Sequence, residues 1–549
     1  MNGNHDILHQ LSDLLRGPLS SLLLRGIPVH ARSAPGRLDV LGGLARQAGG
    51  TLAQMALPRR AAAAVQRRQD GRLVVHHCDV TPPIGDPDYV GSWSDLLSHP
   101  AGDTTGSVGV CIGAKPWLGL PAEYDWVTSI LAALQLFHQA YPADFGLGGG
   151  VGDSERGDPG GMTVILRSDV PLGASQANTA AQVTALLLAL ADAAGMKVDT
   201  GGKAGGKAGE VKLDDLAQQV AAAVNCLRPE HGQVIDALTC LQAQTPPPAH
   251  LLRFTAQGNQ LVGQIKLPRD LKIVALDTGI HYTAASATVE ALRLAGAMGL
   301  RIIETVYRDL GQRHTPLHGH LANLSPVLYR QYFRALLPRR LRGQDFLRTY
   351  GDLAVGIGGG AIIPTQLYHV RAAVDHLLTE HDHAENFLQA MEELADPASR
   401  HRLSREEREK IHRRAGRLMV ASHHSYRLRV ELSCREADWL VDHLMAGGDS
   451  AVDHLGESAG ELDQPATPAS VAGGGGGPDQ GIYGARITGA GGGGTVAVLM
   501  RTTHQATDVL LESLTAYHKI TGLQLHVQEA GGPGSGGAWL SAGREIGVD

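Results

Sequence analysis

A short turn in front of a helix carries the clearest chemistry in this sequence. Pro171–Leu172–Gly173 comes directly before an Ala/Leu-rich run that predicts a helix over 180–193. A helix N-terminus offers free backbone N–H groups and the positive end of the helix dipole to phosphate oxygens. We therefore predict a phosphate site here. The alternative is a plain helix cap that binds no phosphate, because Asn178 is a competent N-cap. The residues that would line the site are Pro171, Gly173, Ala174, Asn178 and Thr179.

Two further segments place glycines next to predicted strands. Ser33–Gly43 reads SAPGRLDVLGG, and Tyr483–Leu499 reads YGARITGAGGGGTVAVL. Both indicate a strand followed by a turn, where glycine lets the backbone pass close to a ligand. These segments, with Arg46 just after the first, supply the candidate substrate-binding residues, which are Asp39, Gly43, Arg46, Gly489, Gly491 and Gly492.

Asp236 and Arg37 are two further charged residues that could do chemistry. A carboxylate can take the proton of a neighbouring hydroxyl, and an arginine opposite it can keep it ionised. From the residues alone, the favoured interpretation is that Asp236 is a surface residue of a helix and Arg37 part of a structural ion pair, because isolated charged side chains are usually solvated.

Two other patterns are weaker candidates. GGKAGGK, over 201–207, imitates a Walker A loop, but Ala208 stands where that loop needs Ser or Thr for Mg²⁺. The chain also holds 26 histidines in loose clusters without the spacing of a metal site. We interpret the first as a linker and the second as chance clustering.

Composition restricts the remaining possibilities. The 549 residues exceed one ordinary domain, and 43% hydrophobic residues suffice for two cores. A net charge of −7 gives no reason to expect nucleic acid or an anionic membrane as partner. Five scattered cysteines without CxxC spacing suit a reducing compartment, so we expect a cytoplasmic protein. We also expect a monomer or a weak homo-oligomer.

The sequence pattern predicts strands at Arg72–His76, Met162–Leu166, Leu271–Leu276 and Thr495–Met500. Strands and helices alternate irregularly, which predicts an α+β fold of two lobes. We expect an N-terminal helical extension over 1–27, a first lobe over 28–250 and a second lobe over 251–549. The second lobe includes a Gly-rich insertion at 457–481. Other polar, glycine-rich insertions interrupt the pattern at 146–161, 201–210 and 531–537.

Taken in order, these segments resemble the GHMP small-molecule kinases, within them the galactokinase and arabinokinase branch. PLGASQANTAA is similar to the family string PLGAGLSSSAA, EHGQVIDALT to CGVMDQMT, and YGARITGAGGGG is nearly intact. The resemblance implies a two-lobed GHMP kinase fold with the active site in the cleft. It also implies a kinase that uses ATP and Mg²⁺ to phosphorylate the anomeric hydroxyl of a sugar. Asp236 would be the catalytic base, and Thr179 would assist the metal. Arg37 would lie opposite Asp236, where it would keep the carboxylate ionised and offset charge on the transferring phosphoryl group.

Several positions depart from that pattern. Ser175 replaces the second glycine of the phosphate loop, and Arg46 stands where arabinokinase-like sequences carry an Asp that binds sugar hydroxyls. Val289 aligns with a sugar-contacting Tyr, and Ala221 with a Mg²⁺-linked Glu. If the protein is active, Arg46 points to an acceptor with an acid group or phosphate. The alternative function is a catalytically impaired relative that serves in ligand binding or regulation.

Overall fold

The computed structural model describes most of the chain. The described residues are 7–80, 86–98, 120–142, 160–199, 210–227, 233–242, 250–280, 285–312, 315–353, 361–446, 478–523, 525–530 and 544–546. The GGKAGGK segment lies outside them, and so do nearly all residues of the four glycine-rich insertions.

Helices and strands alternate along the described residues. The α-helices are α1 (Ile7–Arg16), α2 (Trp93–Ser98), α3 (Thr128–Ala140), α4 (Asn178–Ala193), α5 (Leu213–Leu227), α6 (Val234–Gln242), α7 (Ala285–Asp309), α8 (Pro326–Leu328), α9 (Gly343–Tyr350), α10 (Val370–Ala395), α11 (Pro397–Arg402), α12 (Arg405–Leu428), α13 (Arg435–Ala446) and α14 (His504–Thr521). The strands are β1 (Val29–Leu41), β2 (Thr51–Arg67), β3 (Arg72–His77), β4 (Asp88–Ser92), β5 (Met162–Ser168), β6 (Lys197–Asp199), β7 (Glu210–Lys212), β8 (His250–Thr255), β9 (Gln260–Lys266), β10 (Leu271–Asp277), β11 (Leu341–Arg342), β12 (Leu367–Tyr368), β13 (Ile482–Ile487), β14 (Thr495–Arg501), β15 (His526–Ala530) and β16 (Arg544–Ile546).

The first sheet is built around the long strand β2. Its order is β16-β1-β2-β5-β3-β4, and β8 and β9 extend it from the first half of β2. The second half of β2 pairs with β5, from Ala61 opposite Ser168 to Arg67 opposite Met162. The first half pairs with β8, with Gln54 opposite Leu252. Between β5 and β8, the middle of β2 has no paired strand among the described residues on this edge of the sheet. The candidate phosphate loop, residues 171–178, follows the end of β5 close to this gap.

The second sheet has the order β13-β14-β10-β15, and all its pairs are antiparallel. Its helices α7, α10, α13 and α14 pack with it around one apolar core. Another core cluster combines residues of both sheets, such as Leu38 and Ala53 of the first with Ala275 and Leu499 of the second. The two sheets therefore share buried apolar surface, and this holds the two lobes together.

Most predicted elements occur where the sequence pattern placed them. The strands predicted at Arg72, Met162, Leu271 and Thr495 begin at those residues. The α+β expectation is confirmed. The boundary predicted at residue 250 falls on the first residue of β8, but β8 and β9 belong to the first sheet. The first sheet therefore continues to Lys266.

The N-terminal helix α1 packs on the outer face of the first sheet. Leu11 and Leu15 are fully buried against Val29, Ala62 and Ile165 of the strands beneath. Among the described helices, none is long and apolar enough to span a lipid bilayer.

Candidate active site

Arg37 of β1 and Asp236 of α6 form a bidentate ion pair. Arg37 Nε donates to Asp236 Oδ1 and Nη2 to Asp236 Oδ2, each at 2.9 Å. Both side chains are buried, with 5% and 4% of their surfaces exposed. The interpretation of Asp236 as a solvated surface residue is therefore wrong. Two parallel N–H···O bonds fix the carboxylate plane as well as its charge.

Three polar side chains complete the surroundings of this pair. Asp39 Oδ2 lies 3.0 Å from Arg37 Nη1, and the Gln54 amide donates to both carboxylates, at 2.5 Å to Asp39 Oδ1 and 2.9 Å to Asp236 Oδ1. Thr239, one turn along α6 from Asp236, donates to Gln54 Oε1 at 2.6 Å. The two carboxylates thus share one guanidinium and one amide. Gln54 and Thr239 had not been identified from the sequence.

The cluster keeps Asp236 ionised. Burial alone raises the pKa of Asp236, but the charges of Arg37 and Arg46 and the hydrogen bonds from Arg37 and Gln54 outweigh it, so the pKa lies below its ordinary value. Burial alone lowers the pKa of Arg37, and the charges of Asp236 and Asp39 more than restore it, so this pKa is raised. A buried anion is therefore available at neutral pH.

The candidate phosphate loop, residues 171–178, adopts left-handed backbone conformations although Ser175 replaces its second glycine. Gly173, Ser175 and Ala177 all have positive φ, at 75°, 56° and 59°. For Ser and Ala this left-handed conformation is strained, because their Cβ atoms crowd the neighbouring carbonyl oxygens. Helix α4 follows, and its first helical hydrogen bond runs from Ala181 N to Ala177 O. The N–H groups of the three residues before Ala181 thus have no acceptor inside the helix.

Both lobes hold the loop in place. Arg37 donates from its backbone N to Gln176 O at 3.0 Å and from Nη1 to Ser175 O at 3.0 Å. From the second sheet, Thr495 Oγ1 donates to Ala174 O at 2.7 Å and Gln528 donates to Gln176 Oε1 at 2.7 Å. The loop is thus tied directly to the catalytic candidate Arg37 and to the second lobe.

Asn178 does not cap α4. The N-cap position is Ala177, and no side chain caps the helix. The Asn178 amide donates to Ser168 Oγ and Val170 O, and its oxygen accepts from Gln182 at 2.8 Å. The expected cap is wrong because the end of β5 and the next helical turn take up this side chain. Asn178 instead holds the loop against β5.

The glycine turns meet the phosphate loop beside Asp39. A Cβ on Gly43 would lie 2.7 Å from Gly489 O and 3.4 Å from Asp39 Oδ2, and a Cβ on Gly489 would lie 3.2 Å from Ser175 Cβ. Only glycine permits this approach. Gly491 and Gly492 face the second lobe instead, where Gly492 N donates to Leu432 O at 2.9 Å.

Arg46 lies in the 3₁₀ turn Ala45–Ala48 that follows β1. Its charge contributes to the lowered pKa of Asp236, so the structure brings it close to the same cluster. Glu380 of α10 holds the start of this turn in place. Its Oε1 atom accepts one hydrogen bond from Gly42 N at 3.2 Å and another from Arg486 Nη2 at 3.0 Å. No pattern in the sequence points to Glu380, which is buried in a helix rich in charged residues.

The residues present fit the phosphates of ATP. No acidic residue lies in the first turn of α4, so nothing there opposes binding of an anion to the positive end of its dipole. Thr179, in that turn, is partly exposed and offers its hydroxyl. Mg²⁺ prefers phosphate and water oxygens with one or two protein ligands. The hydroxyl of Thr179 is an oxygen donor of this kind, and among the described residues no group of three His, Cys, Asp or Glu side chains could hold a metal ion.

Known proteins match this chain in sequence and in fold. No protein-family model matches it. It is 23% identical to L-arabinokinase of Arabidopsis thaliana over 551 residues, covering 92% of this chain and 46% of that protein. The chain thus spans about half the length of this curated relative.

The fold matches that of a solved sugar kinase. The crystal structure of Lactococcus lactis galactokinase complexed with galactose superposes with a TM-score of 0.60, covering 96% of this chain and 98% of that one at 13% identity. The expected fold is confirmed. The chain is a homologue of L-arabinokinase over most of its length and has the GHMP kinase fold of galactokinase.

Proposed function

We propose that the protein is an ATP- and Mg²⁺-dependent kinase that phosphorylates the anomeric hydroxyl of a monosaccharide. The observation that carries this proposal is the buried pair of Arg37 and Asp236, which is hydrogen-bonded to the phosphate loop at Ser175. One residue, Arg37, therefore contacts both the candidate base and the loop that would hold the nucleotide. The similarity to L-arabinokinase and galactokinase supports the same function.

The proposed chemistry assigns a role to each part. The N–H groups at the start of α4 and the hydroxyl of Thr179 bind the phosphates of ATP. Asp236 Oδ2 accepts one hydrogen bond among the described residues, from Arg37, and so keeps a lone pair for the acceptor hydroxyl. The acceptor hydroxyl gives its proton to Asp236 while the hydroxyl oxygen bonds to the γ-phosphorus of ATP and ADP leaves. Bound Mg²⁺ would neutralise charge on the phosphates.

Arg37 has two tasks in this proposal. Its charge keeps Asp236 ionised in a buried place, and its Nη1 group, which donates to Ser175 O of the phosphate loop, would offset negative charge on the transferred phosphoryl group. Gly43 and Gly489 line the acceptor side. We also propose a division into two lobes near residue 250, with the first sheet itself extending to Lys266. The monomer or weak homo-oligomer and the cytoplasmic location stay proposals as well.

A coupled ADP-release assay across pentoses and hexoses tests this function, with calorimetric binding of Mg·ATP beside it. We expect Asp236→Asn to lower kcat by about 100-fold or more, the usual contribution of a general base, with the ATP dissociation constant nearly unchanged. Asp508→Asn, on the exposed side of α14, is the control and should match wild type.

Each other outcome has a distinct meaning. Binding of ATP without turnover of any sugar by wild type would support the ligand-binding or regulatory alternative. Absence of binding at millimolar ATP would contradict the nucleotide site itself. Because Asp236→Asn removes one partner of a buried pair, circular dichroism must first show that the variant is folded, and Asp236→Glu provides a second variant.

A further inference from the structure

Arg46 has guanidinium donors that the protein leaves unused. Its Nε and Nη1 atoms are buried, and neither forms a hydrogen bond with any described residue. The residue as a whole is partly exposed, so a ligand can reach it. A buried donor without a partner has lost its hydrogen bonds to water and has gained none in return, which is unfavourable unless a ligand supplies them.

The turn that carries Arg46 is held rigidly. Ala45 N donates to Gly42 O and Gly50 N to Ala45 O, each at 2.9 Å. On either side of Arg46, Leu44 and Ala48 are buried in the core of the second lobe. The backbone that carries Arg46 is therefore fixed before any ligand binds, which reduces the entropy lost on binding.

The neighbouring carboxylates are bound to other groups. Asp236 receives its hydrogen bonds from Arg37 and Gln54, and Glu380 receives its own from Arg486, Ser422 and the backbone. The charge of Arg46 still acts on Asp236 and on Tyr426. Arg46 therefore faces the acceptor side of the candidate site without being neutralised by an ion pair of its own among the described residues.

Asp39 supplies the complementary signal. Its Oδ2 atom is buried and accepts no hydrogen bond from a described residue, although Arg37 Nη1 lies 3.0 Å away. This oxygen lies where the turns of Gly43 and Gly489 meet. The acceptor side thus offers one carboxylate oxygen suited to a hydroxyl donor and one guanidinium suited to an anion.

We infer that the sugar acceptor carries an anionic group, a carboxylate or a phosphate, that Arg46 binds. The inference rests on the proposed kinase function and narrows its substrate to an acidic monosaccharide. A guanidinium has only donors and binds planar oxyanions in a bidentate manner, so neutral sugars cannot use it as fully. Asp39 would accept a hydrogen bond from a hydroxyl of the same molecule.

Three sugars that differ only at C6 test the inference: galactose, galacturonate and galactose 6-phosphate. We measure kcat/KM by ADP release, and binding by calorimetry in the presence of a non-hydrolysable ATP analogue. Wild type should prefer one acidic form over galactose by at least about tenfold, and which form it prefers identifies the anion. Arg46→Ala should remove that preference, Arg46→Lys should keep part of it, and the KM for ATP should not change.

Controls and outcomes separate the two proposals. Arg330→Ala, an exposed position of the second lobe, should behave as wild type. If the kcat/KM for galactose equals or exceeds that for both acidic sugars, the inference is overturned and the kinase function stands. If an acidic sugar binds in an Arg46-dependent manner without ADP release from any sugar, the inference stands and the kinase is overturned. Failure of all three sugars to bind contradicts both.

Discussion

Arg37 and Asp236 lie 199 positions apart in the chain and meet through two hydrogen bonds of 2.9 Å. The pair joins strand β1 to helix α6, and Arg37 extends the connection to the phosphate loop. A buried ion pair is not by itself a source of stability, because removing both charges from water is costly. The pair lies beside the phosphate loop, to which Arg37 is hydrogen-bonded at Ser175. This position fits a functional role better than a stabilising one.

The first prediction concerns the stability of this pair. Asp236→Asn removes one of the two carboxylates beside the buried Arg37, and Asp39 remains, so we expect a loss of about 3 kcal/mol in the free energy of unfolding, the lower end for breaking a buried pair. Arg37→Gln should cost more, because it leaves Asp236 and Asp39 buried without the guanidinium that they share. Urea unfolding of wild type and the two variants checks this. An Arg37→Gln variant as stable as Asp236→Asn would contradict it.

The second prediction concerns acid pH and His376. This histidine of α10 is fully buried, its Nδ1 lies 2.8 Å from Ser425 Oγ, and burial lowers its pKa to about 4. Glu380 opposes that shift, and Arg429, Arg486 and His383 add to it. Between pH 6.5 and pH 4 the unfolded chain binds a proton at this residue and the folded protein does not. Stability from His376 is therefore complete above pH 6.5 and falls as the pH drops toward 4.

The measurement is the free energy of unfolding at pH 7 and pH 4.5. His376→Gln should lose less between these values than wild type, with a difference approaching about 3 kcal/mol for a shift of this size. Other buried histidines lower the stability of both proteins alike. His504→Gln, at an exposed position, should show the wild-type loss. Equal losses in His376→Gln and wild type would count against the prediction.

The third prediction concerns strain in the phosphate loop. Ser175 holds a φ of 56°, which glycine adopts without a steric penalty. Ser175→Gly should therefore be neutral or stabilising by up to about 1 kcal/mol. Ala516→Gly, inside helix α14, should instead cost about 1 kcal/mol. Thermal unfolding of both variants checks this, and a similar loss in the two would show that Ser175 is not strained.

The fourth prediction concerns the contact between two glycine turns. A Cβ on Gly43 would lie 2.7 Å from Gly489 O, so Gly43→Ala must push the two turns apart. We expect a stability cost of about 1–3 kcal/mol from overpacking, with a fall in kcat/KM for the sugar. Gly263→Ala is the control, because its Cβ would meet no atom within 4 Å. Wild-type activity in Gly43→Ala would exclude a close fit of the turns around the acceptor.

The sequence predicted the fold well because its elements carry strong local signals. The apolar run after Met162 and the Ala/Leu run after Asn178 coincide with β5 and α4. The lobe boundary was harder, since strands such as β8 pair with β2 across about two hundred residues, and no local pattern reports such pairing. Periodicity describes one element at a time.

The candidate site was predicted only in part. The resemblance of three segments to known kinases led to Arg37, Asp236 and Arg46. Gln54 escaped notice, although an amide within the apolar run LAQMAL is a signal of a buried polar partner. The alternative in which Asn178 caps α4 is wrong, because β5 provides acceptors for its side-chain amide.

The most direct test of the central claim is the identity of the product. We would incubate the protein with Mg·ATP and each sugar of the C6 series and record the ³¹P NMR spectrum of the products. The proposed function predicts a new phosphate monoester signal coupled to the anomeric proton, formed with ADP and absent with Asp236→Asn. A phosphate on another hydroxyl, or ADP and free phosphate without any sugar ester, would contradict it.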